Sequence, residues 1–174
     1  MTTLVAPTAG LGPELLAAVR ATVLAAFGDR FSDDDWDHTL GGTHVVRTDG
    51  AGCVAHAAVV PRTLYVAGSP VRAGYVEAVA TRPDAQRRGH GTSVMRAVAE
   101  VLRGAYDLGA LSTGSPEFYE RLGWERWLGA TYVRDGGALR PAPDEGVLVL
   151  RYGAGAAVDL RAGLACEARS GDDW

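Results

Sequence analysis

The feature that most constrains the fold of this chain is the glycine-rich stretch Gln86–Gly91, together with the segments on either side of it. Residues 74–81 are rich in β-branched and aromatic side chains, which favour an extended backbone. Pro83 disfavours a helical conformation at the residue before it, so the strand should end there. Residues 91–103 then carry apolar side chains at helical spacing. The pattern predicts a strand, a tight loop and a helix in succession.

The loop Gln86–Gly91 has the form Q-x-x-G-x-G, and its chemistry suits an anion. Its two glycines let the backbone approach a ligand closely, and the first helical turn presents unpaired N–H groups and the positive end of the helix dipole. Arg87 and Arg88 add positive charge at the same place. We therefore predict a phosphate or pyrophosphate site. The alternative is a glycine-rich turn without a ligand, and the loop does not read G-x-G-x-x-G as in dinucleotide folds.

Length and composition predict one globular domain, residues 1–174, with a sizeable core. The chain is 47% hydrophobic, and its net charge of −4 argues against a nucleic-acid-binding protein, which needs a basic face. The sequence has no apolar run of membrane-spanning length and no signal-peptide pattern at its start, so we expect a cytoplasmic protein without a membrane partner. Cys53 and Cys166 are too few for a disulfide framework, and neither lies in a metal-type cluster.

Hydrophobic periodicity and turn residues predict the remaining elements. Ser32 is predicted to cap a short helix with the acidic residues 33–35 in its first turn, where negative charge suits the helix dipole. Alternatively, these acids form the wall of a pocket that binds a polycation. His56 lies in an apolar run, where a histidine is more often buried and hydrogen-bonded than catalytic. The predicted helices cover residues 13–27, 91–103 and 115–123. The predicted strands cover residues 43–48, 53–60, 62–66, 71–81, 108–112, 124–128, 131–134 and 147–152. Residues 136–145 are predicted as a loop that carries Asp144 and Glu145, and residues 164–174 as a tail.

Two further segments point to a family. Glu77 lies among apolar neighbours in the strand before the loop, and residues 118–124 read F-Y-x-x-x-G-W. Together with the Q-x-x-G-x-G loop, they resemble the GCN5-related N-acetyltransferase (GNAT) family over most of the chain. The resemblance implies an α+β fold, in which helices flank a central, mostly antiparallel mixed sheet, and it implies acetyl-CoA as cosubstrate with no metal. The coenzyme positions that it implies are Val79, Ala80, Thr81, Gln86, Arg87, Arg88, Gly89, His90, Gly91, Thr92 and Tyr119.

The resemblance also implies a division of catalytic roles. Tyr119 would be the general acid that protonates the leaving thiolate, and Glu77 would be the base, acting through a water molecule. A backbone N–H near Val79 would face the thioester oxygen at a bulge in the strand. The alternatives are a buried helix tyrosine with a satisfied hydroxyl group and a strand-end carboxylate in solvent.

Several blocks in order resemble one branch of the family, the aminoglycoside 2′-N-acetyltransferases: the D-W-x-H-T-L-G-G segment at 35–42, G-Y-V-E at 74–77, R-G-A-Y-x-L-G-A-L-S at 103–112 and the ending G-D-x-W. This resemblance implies direct acetyl transfer, in a ternary complex, to the 2′-amino group of aminoglycoside antibiotics, hence antibiotic resistance, and a homodimer. Arg30 departs from the acid expected at its position. The implied antibiotic-binding positions are Asp35, Glu77, Ala78, Ser112, the acids Asp144 or Glu145, Asp172 and Trp174.

Two other activities stay open, namely acetylation of another small amine or a protein N-terminus, and a non-catalytic acyl-CoA sensor. Retention of Tyr119 and Glu77 argues against the sensor. Aminoglycosides are polycations, so acids drawn from separate parts of the chain suit them through charge-assisted hydrogen bonds. Residues 172–174 would either form a frayed tail or fold back over the antibiotic.

Overall fold

The computed structural model of the protein describes residues 1–50, 52–143 and 145–174. The chain divides into two compact units. The first comprises Met1–Val60 and Val76–Val101, and the second comprises Pro61–Tyr75 and Leu102–Trp174. Each unit has its own set of paired strands.

The described residues form α-helices and β-strands joined by short turns. The helices are α1 (Pro13–Phe27), α2 (Asp33–Thr39), α3 (His90–Ala105) and α4 (Pro116–Glu120). The strands are β1 (Thr2–Pro7), β2 (Thr43–Asp49), β3 (Gly52–Val66), β4 (Ser69–Thr81), β5 (Leu108–Ser112), β6 (Glu125–Arg126), β7 (Thr131–Asp135), β8 (Ala138–Pro141), β9 (Val147–Arg151) and β10 (Leu164–Glu167).

In the first unit, β2 pairs with β1 on one side and with β3 on the other, in both cases antiparallel. The N–H of Arg82, just past the end of β4, donates to the carbonyl of Val54 on β3 at 2.8 Å. Helices α1 and α2 contribute apolar side chains to a core with these strands. The buried members of this core are Leu11, Val19, Val23, Trp36, Val46, Cys53 and Ala80.

In the second unit, β5 pairs in parallel with β4 and antiparallel with β9, which also pairs with β6. Strand β10 pairs antiparallel with β3 and in parallel with β7, and β7 forms a hairpin with β8. Gly74 and Gly109 let Leu102 pack directly on the strands, because a Cβ atom at either position would lie 2.4 or 2.8 Å from its methyl groups. The mixed α/β fold predicted from the sequence, with antiparallel pairs predominating, is confirmed.

Several element predictions are wrong, and each error has a structural reason. Residues 53–60 and 62–66 form the single strand β3, in which Pro61 falls between the stretch paired with β2 and the stretch paired with β10. The predicted loop 136–145 contains β8, because the positive-φ glycines 136 and 137 turn the chain back along β7. The predicted tail contains β10 and the predicted strand 124–128 shrinks to β6, whereas β1 was not predicted. No helix among the described residues is long and apolar enough to cross a membrane.

Candidate active site

The loop between β4 and α3 leads into the helix start at which the sequence predicted an anion site. Arg87 and Gly89 both take a positive φ, +61° and +80°, which turns the chain sharply into the helix. The N–H of Ser93 donates to the carbonyl of Gly89 at 3.0 Å, which is the first hydrogen bond of the helix. The N–H groups of residues 90–92 come before it and so have no acceptor within the helix. The side chains of Arg87 and Arg88 are exposed. Backbone donors and two guanidinium groups therefore share one end of the first unit.

The side chain of Gln86 braces this loop from within. Its amide nitrogen donates to the carbonyl of Thr81, the last residue of β4, at 3.2 Å. The guanidinium of Arg82 contacts the carboxylates of Asp84 at 2.6 Å and Asp49 at 3.1 Å. These contacts hold the end of the strand and the start of the loop in one arrangement. The sequence predicted that Gln86 contacts the coenzyme. In this structure its side-chain nitrogen binds the backbone of β4 instead.

Arg47, which the sequence analysis did not single out, anchors the first turn of α3. Its guanidinium donates to Nδ1 of His90 at 3.1 Å, to the hydroxyl of Ser93 at 2.9 Å and to the hydroxyl of Thr3 at 3.2 Å. The predicted coenzyme ligand His90 is consequently buried and engaged with β2, whereas Gly91 and Thr92 are half-buried. An arginine in a strand carries no motif, so only the fold reveals this role.

The second half of β4 contains an irregularity at Ala78. Its φ is +50°, a left-handed conformation that an alanine rarely adopts and that marks a break in a regular strand. The carbonyl oxygen of Ala78 accepts a hydrogen bond from Nδ1 of His56 at 3.0 Å. Glu77, Ala78 and Val79 are half-buried, whereas Ala80 belongs to the core. The structure thus contains a strand irregularity next to the predicted oxyanion donor.

The predicted antibiotic ligand Asp35 has a structural partner in the first unit. Its carboxylate accepts hydrogen bonds from the N–H and the hydroxyl of Ser32, both at 2.8 Å, and Ser32 in turn accepts from the N–H of Asp35. This is a capping box, so the helix start predicted from the acidic run is confirmed. Both donors bind the same carboxylate oxygen, Oδ2.

Tyr119 lies on α4 in the second unit and is 9% exposed. Its ring meets those of Phe118 and Trp124 edge to face, at centroid distances of 4.9 and 6.2 Å. Burial raises the pKa of the Tyr119 hydroxyl to about 12. The group is therefore protonated at neutral pH, which is the state that a proton donor requires.

Ser112 and Glu145, two further predicted ligands, meet in the second unit. The hydroxyl of Ser112, at the end of β5, donates to the backbone carbonyl of Glu145. A Cβ atom at Gly146 would lie 2.4 Å from the carbonyl oxygen of Thr113, so a glycine there allows the two segments to come together. Glu145 also lines a cleft of about 270 Å³, whose wall includes Thr113 and Trp127. Asp144, predicted as an alternative to Glu145, lies outside the described residues.

The C-terminal residues are tied down within the second unit. The carboxylate of Asp173 contacts the guanidinium of Arg140 at 2.7 Å and the N–H of Arg169 at 3.0 Å. The guanidinium of Arg169 donates to the carbonyl of Asp172 at 2.7 Å. Trp174 is 6% exposed, and its indole N–H has no hydrogen-bond partner within the described part of the chain. The frayed-tail alternative is therefore wrong, because the chain end is packed and hydrogen-bonded.

Three carboxylates, those of Glu145, Asp172 and Asp173, lie near one another in this part of the second unit. The pKa of Glu145 is raised, first by burial and then by the negative charges of Asp172 and Asp173, while Arg140 opposes the shift. Burial is the larger cause, and the smaller contribution shows that the carboxylates of Asp172 and Asp173 lie close enough to Glu145 to repel its negative charge. In the described ranges, no group of three or more His, Cys, Asp or Glu side chains could hold a metal ion.

Comparison with known proteins agrees with this geometry. The family described as "Acetyltransferase (GNAT) domain" matches residues 13–127. The aminoglycoside 2′-N-acetyltransferase of Mycolicibacterium fortuitum is 44% identical over 173 residues, which cover 96% of this chain and 89% of that protein.

Solved structures show the same fold. A GNAT family N-acetyltransferase from Escherichia coli, in complex with coenzyme A, has a TM-score of 0.67 at 18% identity and covers 94% of this chain and 89% of its own. A GNAT family acetyltransferase from Brucella melitensis, in complex with acetyl-CoA, has a TM-score of 0.65 at 17% identity over 94% of this chain and 95% of its own. The chain spans about a third of a longer protein, a GCN5-related N-acetyltransferase from Kribbella flavida: 34% of that chain and 74% of this one, with a TM-score of 0.61 at 22% identity. With a family match over most of its length and a relative of this identity, the chain belongs to the GNAT acetyltransferases.

Proposed function

We propose that this protein transfers the acetyl group of acetyl-CoA to the 2′-amino group of aminoglycoside antibiotics, directly and in a ternary complex. The observation that carries the proposal is the 44% identity, over 96% of the chain, to a protein named aminoglycoside 2′-N-acetyltransferase. The carboxylates of Asp172 and Asp173 beside Glu145 support it, because aminoglycosides are polycations. Resistance to these antibiotics would be the consequence in a cell.

Acetyl-CoA supplies an activated thioester when it is bound, and the loop after β4 fits its pyrophosphate. The amides of residues 90–92 and the exposed Arg87 and Arg88 provide backbone donors and positive charge. Gly89 leaves open space, since an added Cβ atom would meet nothing within 4 Å. We assign the pantetheine arm to the backbone of Val79–Thr81, by resemblance to the family.

The catalytic roles follow the same resemblance, residue by residue. The N–H of Val79 donates to the thioester oxygen as that oxygen gains negative charge, a contribution worth roughly 10²–10³ in rate at other acyl-transfer sites. Glu77 takes a proton from the ammonium group through a water molecule. Tyr119, which is protonated at neutral pH, gives a proton to the departing sulfur.

The polar groups of the second unit suit the antibiotic. We assign ammonium groups of the drug to Glu145 and Asp172, because charge-assisted hydrogen bonds contribute about 1.5–3 kcal/mol each. The buried indole N–H of Trp174 offers a donor to a hydroxyl group. Asp35, Glu77, Ala78, Ser112 and Asp144 remain proposed ligands on the family resemblance alone.

The test is acetylation of tobramycin or gentamicin by the purified protein with acetyl-CoA, followed by mass spectrometry. We expect the mass of one acetyl group to be added, with the modified nitrogen located at position 2′ by NMR. The matched control is an aminoglycoside with a hydroxyl group at position 2′, which should stay unmodified. Acetylation of that control, or turnover confined to peptides or polyamines, would assign the enzyme to another amine.

We also propose that residues 1–174 act as a single N-acetyltransferase domain in a cytoplasmic homodimer. The single domain and the location are inferred from the sequence, and the homodimer is inferred from the family resemblance alone. Gel filtration with light scattering tests the assembly, and a mass of one chain at the working concentration would reject the dimer.

A further inference from the structure

Two buried histidines, His44 and His56, form a hydrogen-bonded line that ends at the irregular residue of β4. Nδ1 of His56 lies 3.0 Å from the carbonyl oxygen of Ala78. Nε2 of His56 lies 2.9 Å from Nδ1 of His44, and Nε2 of His44 lies 2.8 Å from the hydroxyl of Thr8. Both rings are completely buried, at 0% exposure. The line therefore crosses from β4 through β3 and β2 inside the first unit.

When both rings are neutral, the chemistry of the partners gives each hydrogen bond in this line a direction. A carbonyl oxygen only accepts, so Nδ1 of His56 carries the proton and donates to Ala78. In a neutral ring Nε2 then accepts, which requires a proton on Nδ1 of His44, and Nε2 of His44 accepts from the hydroxyl of Thr8. The oxygen of Thr8 accepts in turn from the N–H of Gly41 at 3.0 Å. The carbonyl of Gly42 lies 3.4 Å from the same hydroxyl oxygen, so the single Thr8 proton goes to the nearer acceptor, Nε2 of His44. The donors and acceptors of the line then match when both rings are neutral.

Burial favours this neutral state. It lowers the pKa of His56 from 6.5 to about 3, with the neighbouring His44 as a second cause, and it lowers the pKa of His44 as well. Each ring thus has one donor and one acceptor over the whole neutral range. Neither histidine belongs to the loop or to the acidic region described for the two substrates.

The hydrogen bond from His56 also determines where the N–H of Val79 points. The carbonyl of Ala78 and the N–H of Val79 belong to one planar peptide group, which is trans, as no cis peptide bond is present in the described residues. The two bonds therefore point in opposite directions. Because the carbonyl faces the ring of His56, the N–H of Val79 is directed away from that ring.

The conformation that this bond holds is one that Ala78 would not choose by itself. A left-handed φ is unfavourable for a residue other than glycine, so the surrounding structure must impose it. A buried N–H donor aimed at the Ala78 carbonyl supplies one such constraint, and the packing of Ala78 against the core of the first unit supplies another.

We propose that His56, backed by His44, is a positioning residue for catalysis that holds the peptide between Ala78 and Val79 so that the Val79 N–H faces the thioester oxygen. This inference rests on the proposed acetyl transfer. Neither histidine touches a substrate; both act through the backbone of β4. Their effect should consequently appear in the rate of the chemical step and not in the affinity for the coenzyme.

Three substitutions at His56 separate its two nitrogens. His56→Asn keeps a donor near the position of Nδ1, His56→Gln keeps an amide near the position of Nε2, and His56→Leu keeps neither. We expect His56→Leu and His56→Gln to lower kcat by about 10- to 100-fold, less than the roughly 10²–10³-fold for removing an oxyanion donor outright, because the Val79 N–H is misdirected and not removed. His56→Asn should restore most of the lost rate. The dissociation constant of coenzyme A, measured by isothermal titration, should stay near that of the wild type in all three.

A readout without turnover separates this inference from the proposed function. The amide resonance of Val79, in ¹H–¹⁵N NMR of the free protein, should move in His56→Leu and His56→Gln but stay close to the wild-type position in His56→Asn. If the wild type acetylates no aminoglycoside, the proposed function fails while this resonance still tests the orientation of the peptide. If the wild type is active, unchanged kcat in folded His56→Leu, or equal losses in His56→Asn and His56→Gln, would overturn the inference. Should His56→Leu fail to fold, the comparison of the Asn and Gln variants decides alone.

Discussion

The buried His56 should make the protein lose stability in mild acid, and its pKa gives the size of the loss. In the folded protein that pKa is lowered from 6.5 to about 3, chiefly by burial. In the unfolded chain the ring returns to its ordinary value, so below pH 6.5 the unfolded state binds a proton that the folded state refuses. The pKa of His44 is lowered too, so its contribution has the same sign.

A pKa that is depressed by folding contributes its full stability above the unfolded value, and that stability is lost as the pH falls toward the folded value. Each pH unit in this window costs about 1.4 kcal/mol for one group. At pH 5, His56 alone should therefore lower the free energy of unfolding by about 2 kcal/mol relative to pH 7. Such a loss is a substantial part of the roughly 5–15 kcal/mol that stabilises an ordinary domain.

Urea unfolding of the wild type and of His56→Asn, at pH 7 and at pH 5, measures this loss. The asparagine cannot take up a proton in this range but keeps the donor to Ala78. We expect the wild type to lose about 2 kcal/mol more than the variant between the two pH values. Carboxylates that titrate in the same range are present in both proteins, so their contributions cancel. Equal losses in the two proteins would refute a buried, neutral His56.

Three further predictions concern the proposed acetyl transfer. Tyr119→Phe should lower kcat by about 10²–10⁴-fold and leave the affinity for acetyl-CoA near normal; unchanged pre-steady-state acetylation would remove Tyr119 as the acid. Gly89→Val should abolish coenzyme A binding in isothermal titration, because the side chain would occupy the path of the pyrophosphate. Its control is Gly28→Val, where φ is also positive and a Cβ atom would also meet nothing within 4 Å. If both variants lose coenzyme A binding equally, the cause is backbone strain and not a blocked pyrophosphate path. A tag fused after Trp174 should raise KM for the aminoglycoside, and an N-terminal tag should not. Equal KM values for the two tagged proteins would mean that the C-terminal residues only pack against the domain and do not bind the drug.

The sequence predicted those parts of the fold whose signals are local. The capping box of α2 is encoded within the four residues from Ser32 to Asp35, and the glycines of the loop at 86–91 indicate a turn there. Strands β1 and β8 were missed because their residues are almost all exposed and show no alternation of buried and exposed side chains. Strand β10 is held by pairing with β3 and β7, which are distant in sequence, so no local pattern marks it.

The histidine line shows where sequence reasoning could have gone further. His56 was interpreted as a buried, hydrogen-bonded residue, but His44 was not connected with it. Within the hairpin of β2 and β3, Val46 pairs with His56 and His44 pairs with Ala58, so the two histidines are diagonal neighbours. His44 lies two residues before Val46, the partner of His56, and side chains two residues apart on a strand point to the same face. A predicted β2–β3 hairpin in this register therefore places both rings on one face. The hydrogen bond to the Ala78 carbonyl depends on the irregularity in β4. That irregularity lies at an alanine, a residue type that does not indicate a positive φ.

Glu145 offers a test of the proposed polycation site that does not depend on catalysis. Its pKa is raised by burial and by Asp172 and Asp173, so it keeps its proton to a higher pH than an ordinary glutamate. A bound ammonium group favours the carboxylate, lowers that pKa and releases the proton. Calorimetric titration with tobramycin, in two buffers of different ionisation enthalpy, should therefore show proton release that grows as the pH falls below neutrality, and Glu145→Gln should lose that share. The same release from the variant, or none from the wild type, would mean that the ammonium groups bind away from Glu145.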